Sequence, residues 1–310
     1  MSADEPIRRT SEIEEVSNLY FIHPIAARLT RLFAKLRLTP NTVSLTGMLS
    51  GLLAALAYYH YQNLQCAIAG FVLMIVWHIM DGADGQLARL TQSQSHSGKI
   101  IDGICDYVTF IAVYVALALA LSQTLGPWVW LLIVVAGACH AAQAAAYEVQ
   151  RQEYNFWGWD QKSAELPDVS QPLRRAGLSA TQRLLDRLYN AYVRLQYRAA
   201  GVTPQSRGTL ALHLRQQPQQ ASAIRRKYRA TFAPTVRRWS LLSANYRTLG
   251  IFIAAALKAP EYYFWFEVFG FSAIMLLLIR HQRRRYQAFL DELCSMGAMP
   301  SPSPAICTHA

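Results

Sequence analysis

Four aspartates set the chemistry open to this sequence. Asp81 and Asp84 stand three residues apart, Asp102 and Asp106 stand four apart, and Gly98 precedes Asp102 by one turn. Helical positions three and four apart share a face, so each pair aims two carboxylates in one direction. If the two segments are antiparallel neighbours, the four carboxylates converge. Uncompensated, they would repel one another, and Arg89 and Lys99 are too few to balance them as an ion-pair cluster. Divalent cations would balance them, and an all-oxygen donor set favours a hard ion, Mg²⁺ or Mn²⁺. Gly85, Ala88 and Gly98 are small enough for a large ligand to reach the helix backbone. Arg89 offers a planar fork suited to phosphate oxygens. Metals, a phosphate-binding arginine and room for a nucleotide point to phosphoryl transfer. In that chemistry cations neutralise developing charge and a carboxylate takes the proton of an attacking hydroxyl.

The elements that must carry these residues are apolar. Of the 310 residues, 53% are hydrophobic and 16% charged, which excludes a disordered chain. Five scattered cysteines with no C-x-x-C pair exclude a disulfide scaffold or a thiolate zinc site. Six stretches are long and apolar enough to cross a bilayer, which takes roughly 20 residues of helix: Asn41 to Tyr59, Leu64 to Met80, Ile100 to Leu121, Trp128 to Tyr147, Leu241 to Leu257 and Tyr262 to Ile279. The acids fall where the second stretch ends and the third begins. Charge at membrane depth is costly and marks function. The first 40 residues are too polar for a cleavable signal peptide. The expected fold is all-α and integral to the membrane, with six transmembrane helices.

Charge orients the expected layout. Net charge is +11, and the basic residues concentrate before the first stretch, around the acids, between stretches four and five, and after stretch six. With six crossings these regions share one side, which the positive-inside bias makes cytoplasmic. The expected organisation is a tail and juxtamembrane amphipathic helix at 1–40 and helices one to four with the acidic motif at 41–147. A basic helical insertion at 148–240, helices five and six at 241–280, and a tail at 281–310 follow. Glu14 to Leu36 sets Leu19, Tyr20, Ile25, Leu29 and Leu32 against Arg28, Arg31 and Lys35, as a helix lying on a membrane surface would. The insertion holds 16 Lys and Arg against 6 Asp and Glu, which suits an anionic leaflet. Within it Ser179 to Arg198 reads as a helix, with Leu184, Leu188, Tyr192 and Leu195 on one face, and Pro204 to Gln220 as a loose connection. No nucleic-acid-binding signature accompanies the charge. Trp128, Trp130, Tyr262, Tyr263 and Trp265 read as interface anchors.

The acidic run resembles the signature of the CDP-alcohol phosphotransferases, D-x-x-D-G-x-x-A-R, a spacer of eight, then G-x-x-x-D-x-x-x-D. Asp81, Asp84, Gly85, Ala88, Arg89, Gly98, Asp102 and Asp106 meet every fixed position, and the Pro40-Asn41 pair is also similar to the family. The insertion is not. The resemblance implies a six-helix enzyme, a homodimer, of the bacterial inner (plasma) membrane, with its site and both termini facing the cytoplasm. Two metal ions per subunit would be bound by Asp81, Asp84, Asp102 and Asp106, with Asp106 also the base. Asn41, Gly85, Ala88, Arg89 and Gly98 would hold the cytidine diphosphate. A substituted phosphate would pass from a CDP-linked donor to a hydroxyl, releasing CMP.

The donor stays open between CDP-diacylglycerol, with a small polar alcohol as acceptor, and a CDP-linked head group passed to a lipid hydroxyl. Arg247, inside stretch five, favours an anionic acceptor, with Asn245 and His140 as further acceptor contacts, although Arg247 could equally snorkel to the interface. His78, three residues before Asp81, is expected packed rather than metal-bound. An ion or solute transporter lined by the carboxylates is the alternative of a different class. The clustering of the acids near one face speaks against it.

Overall fold

The computed structural model describes residues 11–166, 191 and 193–295, and the described elements are helices joined by turns. In chain order they are α1 (His23–Lys35), α2 (Pro40–Tyr59), α3 (Leu64–Leu90), α4 (His96–Leu125), α5 (Val129–Trp159), α6 (Pro204–Gln216), α7 (Ala221–Trp239), α8 (Ala244–Ala256), α9 (Glu261–Trp265) and α10 (Ser272–Ser295). A π turn, Asn18–Ile22, leads into α1, and another, Phe266–Phe271, joins α9 to α10. Five described helices are long and apolar enough to cross a membrane: α2, α3, α4 from Ile100, α5, and the continuous run Glu261–Ser295. The fifth apolar stretch forms only the 13 residues of α8, about 20 Å at 1.5 Å per residue against a hydrocarbon core of ~30 Å. Extended Ser243 precedes its start, its hydroxyl donating to Glu15 rather than capping the helix, and Lys258 (φ 60°) and Pro260 follow its end.

The chain forms two compact units, Met1–His140 with Ser243–Phe271, and Ala141–Leu242 with Ser272–Ala310. In the first, small residues let α2, α3 and α4 pack closely. A Cβ on Gly51 of α2 would stand 2.4 Å from Thr109 Cγ2 of α4, so that crossing tolerates no side chain. Tyr58 lays its ring over Gly70 of α3. α1 docks on the acidic end of α3: Ile22 and Ala26 meet Gly82, and Thr30 Oγ1 donates to the carbonyls of Ala26 (2.8 Å) and Ala83 (3.2 Å). The docked face thus mixes the small Ala26 and Thr30 with Ile22 and Phe33, while Tyr20, Phe21, Leu32 and Leu36 remain exposed.

In the second unit, two expectations change. The Pro204 to Gln220 segment is helical over α6, with Leu210 buried; glutamine is a good helix former. The helix of stretch four runs on to Trp159 rather than stopping at Tyr147. α7 caps that extension: Arg225 donates to the carbonyls of Phe156 (3.2 Å) and Trp157 (2.9 Å), and Arg229 to that of Gly158 (3.1 Å). Phe156 O also accepts from Asp160 N at 3.1 Å; carbonyls of a last helical turn run short of partners within the helix, and cations are favoured at its C-terminus. Glu153 of α5 pairs with Arg207 of α6 at 3.0 Å. α10 also outruns its apolar half, because Phe289 and Leu293 bury. The expected helix over Ser179 to Arg198 lies largely outside the described residues.

Candidate metal and nucleotide site

The acids sit on the last turns of α3 and the first turns of α4. Three local signals place them. Thr39 caps α2, its side chain accepting from Thr42 N, and Pro40 opens the helix. Asn63 caps α3 by accepting from Gln65 N. Ser95 caps α4 by accepting from Gly98 N at 3.0 Å. The short turn between Leu90 and His96 therefore folds α4 back alongside α3.

That reversal brings Asp81, Asp102 and Asp106 together: one carboxylate oxygen from each lies within 4.8 Å of the others, and all three residues are half-buried. Three converging carboxylates supply the oxygen donors a hard divalent cation takes, so the residues fit Mg²⁺ or Mn²⁺. Asp84 adds no oxygen to that 4.8 Å set, although it lies near enough to Asp81 and Asp102 to feel their charge. It is 4% exposed, and its Oδ2 accepts from Ser44 Oγ of α2 at 2.5 Å. Arg89 extends back along α3, with Nη1 3.6 Å from where a Cβ on Gly85 would be. Asn41 Oδ1 is 3.6 Å from the corresponding point on Gly98. The first turns of α2 and α4 are thus neighbours, and helix N-termini favour anions. Ala88 is half-buried on the same helix as Gly85 and Arg89.

The remaining expected residues lie in other networks. His78 Nε2 is 2.9 Å from Thr248 Oγ1 of α8, a packed histidine. Arg247 does not snorkel. It is 0% exposed and ion-paired at 3.3 Å with Glu267, also 0% exposed. Glu267 accepts from Tyr263 Oη at 2.7 Å, Tyr263 Oη lies 3.0 Å from Tyr114 Oη, and Tyr114 Oη lies 3.2 Å from His140 Nδ1. Asn245 Nδ2 donates to Glu15 (2.7 Å), Ser17 (3.0 Å) and Asn18 (2.8 Å). Tyr263 is buried rather than an interface anchor, whereas Trp128, Trp130, Tyr262 and Trp265 are exposed. Sequence reasoning overlooked Ser44, Glu15 and Glu267. Glu267 had a signal: an acid inside one apolar stretch requires a base inside another, and Arg247 is that base.

Comparison with known proteins bears on the same segment. Residues 37–170 match the family model of CDP-alcohol phosphatidyltransferase. That segment is similar to the CDP-alcohol phosphatidyltransferases. The match takes in α2 to α5 and all eight signature positions, and it ends before α6 and α7. The chain is 32% identical over 92 residues to archaetidylinositol phosphate synthase of Pyrococcus horikoshii, covering 30% of this chain and 47% of that protein. It is 28% identical over 120 residues to CDP-diacylglycerol–serine O-phosphatidyltransferase of Mycobacterium tuberculosis, covering 38% and 40%. An uncharacterized CDP-alcohol phosphatidyltransferase class-I family protein 2 of Dictyostelium discoideum is 29% identical over 111 residues, covering 33% and 27%. The matched part thus spans less than half the length of each of these relatives.

Proposed function

We propose that this chain is a membrane enzyme of phospholipid synthesis that transfers a substituted phosphate from CDP-diacylglycerol to the hydroxyl of a small polar alcohol, releasing CMP. The observation that carries the reading is the convergence of Asp81, Asp102 and Asp106 from two helices within 4.8 Å, with Arg89 near Gly85 and Asn41 near Gly98 on the same helix ends. Asp81, Asp84, Asp102 and Asp106 would hold two divalent cations, Mg²⁺ or Mn²⁺. Those ions, when bound, would neutralise charge on the diphosphate. Arg89 would hold the diphosphate oxygens by its fork, and Gly85, Ala88, Gly98 and Asn41 would leave the cytidine room against the helix backbones. Asp106 would take the proton as the acceptor oxygen bonds to the β-phosphorus and the bond from that phosphorus to CMP breaks. A carboxylate at hydrogen-bonding distance from the hydroxyl contributes roughly 10²–10⁴-fold in such a role.

The donor is read from chemistry and similarity together. One relative's name specifies CDP-diacylglycerol, and a lipid donor suits a site between membrane helices. Arg247, Asn245 and His140 are already engaged by Glu267, Glu15 and Tyr114, so the acceptor is assigned no finer than a small polar alcohol. A six-crossing layout with α8 as the short fifth helix, a homodimer, and a cytoplasmic site and termini complete the proposal. The positive-inside bias supports the orientation. Purified protein given CDP-diacylglycerol, Mn²⁺ or Mg²⁺ and a panel of polar alcohols should release CMP with at least one of them. Release only with CDP-linked head groups and diacylglycerol would move the assignment to the reversed donor. Ion flux in liposomes without nucleotide would support the transporter.

A further inference from the structure

The second unit carries a concentration of arginine that the transfer chemistry does not use. Arg237 and Arg238 close α7, and Arg280, Arg283, Arg284 and Arg285 follow directly on the apolar half of α10, Ser272 to Ile279; all six are exposed. The two helices pack through Phe232 against Tyr286 and Phe289, with ring centroids 5.4 Å apart. Arg238 Nη1 lies 3.3 Å from His281 Nε2, so both arginine groups meet at one level. Arg284 and Arg285 stand three and four residues after His281, on that same face. Four described acids of the same unit pair with other cations: Glu148 with Arg151, Glu153 with Arg207, Asp160 with Arg225 and Glu292 with Lys227.

Two features say what chemistry the cluster fits. Its permanent cations are all arginine, whose fork matches phosphate oxygens in a way a lysine point charge does not. On α10 it begins one turn after the exposed Leu276 and Leu277. Leu276 stands four residues before Arg280, and Leu277 seven before Arg284, so an apolar stripe leads into a cationic one along one helix face. A phospholipid has the same order, chain then phosphate. Juxtamembrane basic clusters are also the sequence form that anionic lipid selects.

We propose that these arginines bind the head group of an anionic phospholipid whose chains lie along Leu276 and Leu277. This lipid is a bound component of the bilayer and not the donor of the reaction.

The test uses the full chain in neutral detergent micelles. Its thermal unfolding midpoint is followed against added phosphatidylglycerol, phosphatidylcholine or inorganic phosphate. Phosphatidylglycerol should raise the midpoint saturably, and the other two should not. In the variant R237Q/R238Q/R280Q/R284Q the half-saturating lipid concentration should rise about tenfold or more, since each basic residue near an anionic surface contributes ~1 kcal/mol. The aspartate cluster is intact in both proteins, so lipid bound there contributes equally. Should the fourfold variant not fold, the exposed pair Arg280→Gln and Arg284→Gln reads the same shift. Wild-type lipid response in the glutamine variants, an equal response to phosphatidylcholine, or a full response to inorganic phosphate would overturn the proposal.

Discussion

Ser44 of α2 holds the carboxylate of Asp84 of α3 at 2.5 Å in a pocket that leaves Asp84 4% exposed. Ser44 Oγ is also 3.1 Å from the Pro40 carbonyl oxygen, so the first turn of α2 is tied to the signature from the helix behind it. A hydrogen bond to a charged group is worth about 1.5–3 kcal/mol. Ser44→Ala should therefore raise the Mn²⁺ concentration needed for half-maximal CMP release by roughly tenfold or more. Ser44→Thr, which keeps the hydroxyl, should stay near the wild type. An alanine variant with wild-type metal dependence would show that the bond orients nothing.

The trio of Asp81, Asp102 and Asp106 predicts an absolute need for a divalent cation. Chelation with EDTA should take CMP release to background, and added Mn²⁺ or Mg²⁺ should restore it. Asp102→Asn removes one of three charges whose oxygens lie within 4.8 Å. It should raise the half-saturating metal concentration and lower kcat together. Activity that survives exhaustive chelation would separate the acids from the chemistry.

Gly85 tests the nucleotide side. A methyl there would meet Arg89 Nη1 at 3.6 Å, an ordinary contact, so Gly85→Ala should be nearly silent. Gly85→Leu extends into the space beside the guanidinium and should raise KM for the CDP donor about tenfold, or by about 1.4 kcal/mol. Its metal dependence should not change. Equal KM values for the leucine variant and the wild-type enzyme would place the donor elsewhere.

Arg247 and Glu267 form a fully buried pair. Removing one partner strands a charge, at a cost of about 3–5 kcal/mol, whereas replacing both by apolar residues is often neutral. Arg247→Met alone should lower the unfolding midpoint sharply, and Arg247→Met with Glu267→Leu should recover most of the loss. If the double variant is stable and still turns over an anionic alcohol with unchanged KM, Arg247 does not touch the acceptor. A KM that rises in the stable double variant would assign it that contact.

What the sequence made legible, and what it hid, follow from range. The aspartate pairs were readable because helix geometry fixes their faces within four residues, and the caps at Thr39 and Ser95 are local too. The bond between Ser44 and Asp84 was not readable, since the two stand forty residues apart. The Arg247–Glu267 pair spans two apolar stretches, and reading each stretch alone left Arg247 with only an acceptor or the interface to satisfy it. Length misled once: Leu241 to Leu257 is apolar throughout most of its run, but Ser243 and Pro260 set where helix can begin and end. In the insertion, the glutamines of Pro204 to Gln220 read as a loose connection, although the buried Leu210 and His213 give that segment a packed helical face.

The central claim is that a hydroxyl is activated at the aspartate trio. Its most direct test is CMP release by purified Asp106→Asn, measured beside Mn²⁺ binding to the same protein. The account predicts that release falls roughly 10²–10⁴-fold while Mn²⁺ still binds through the remaining carboxylates. CMP release at the wild-type rate from that variant would contradict it.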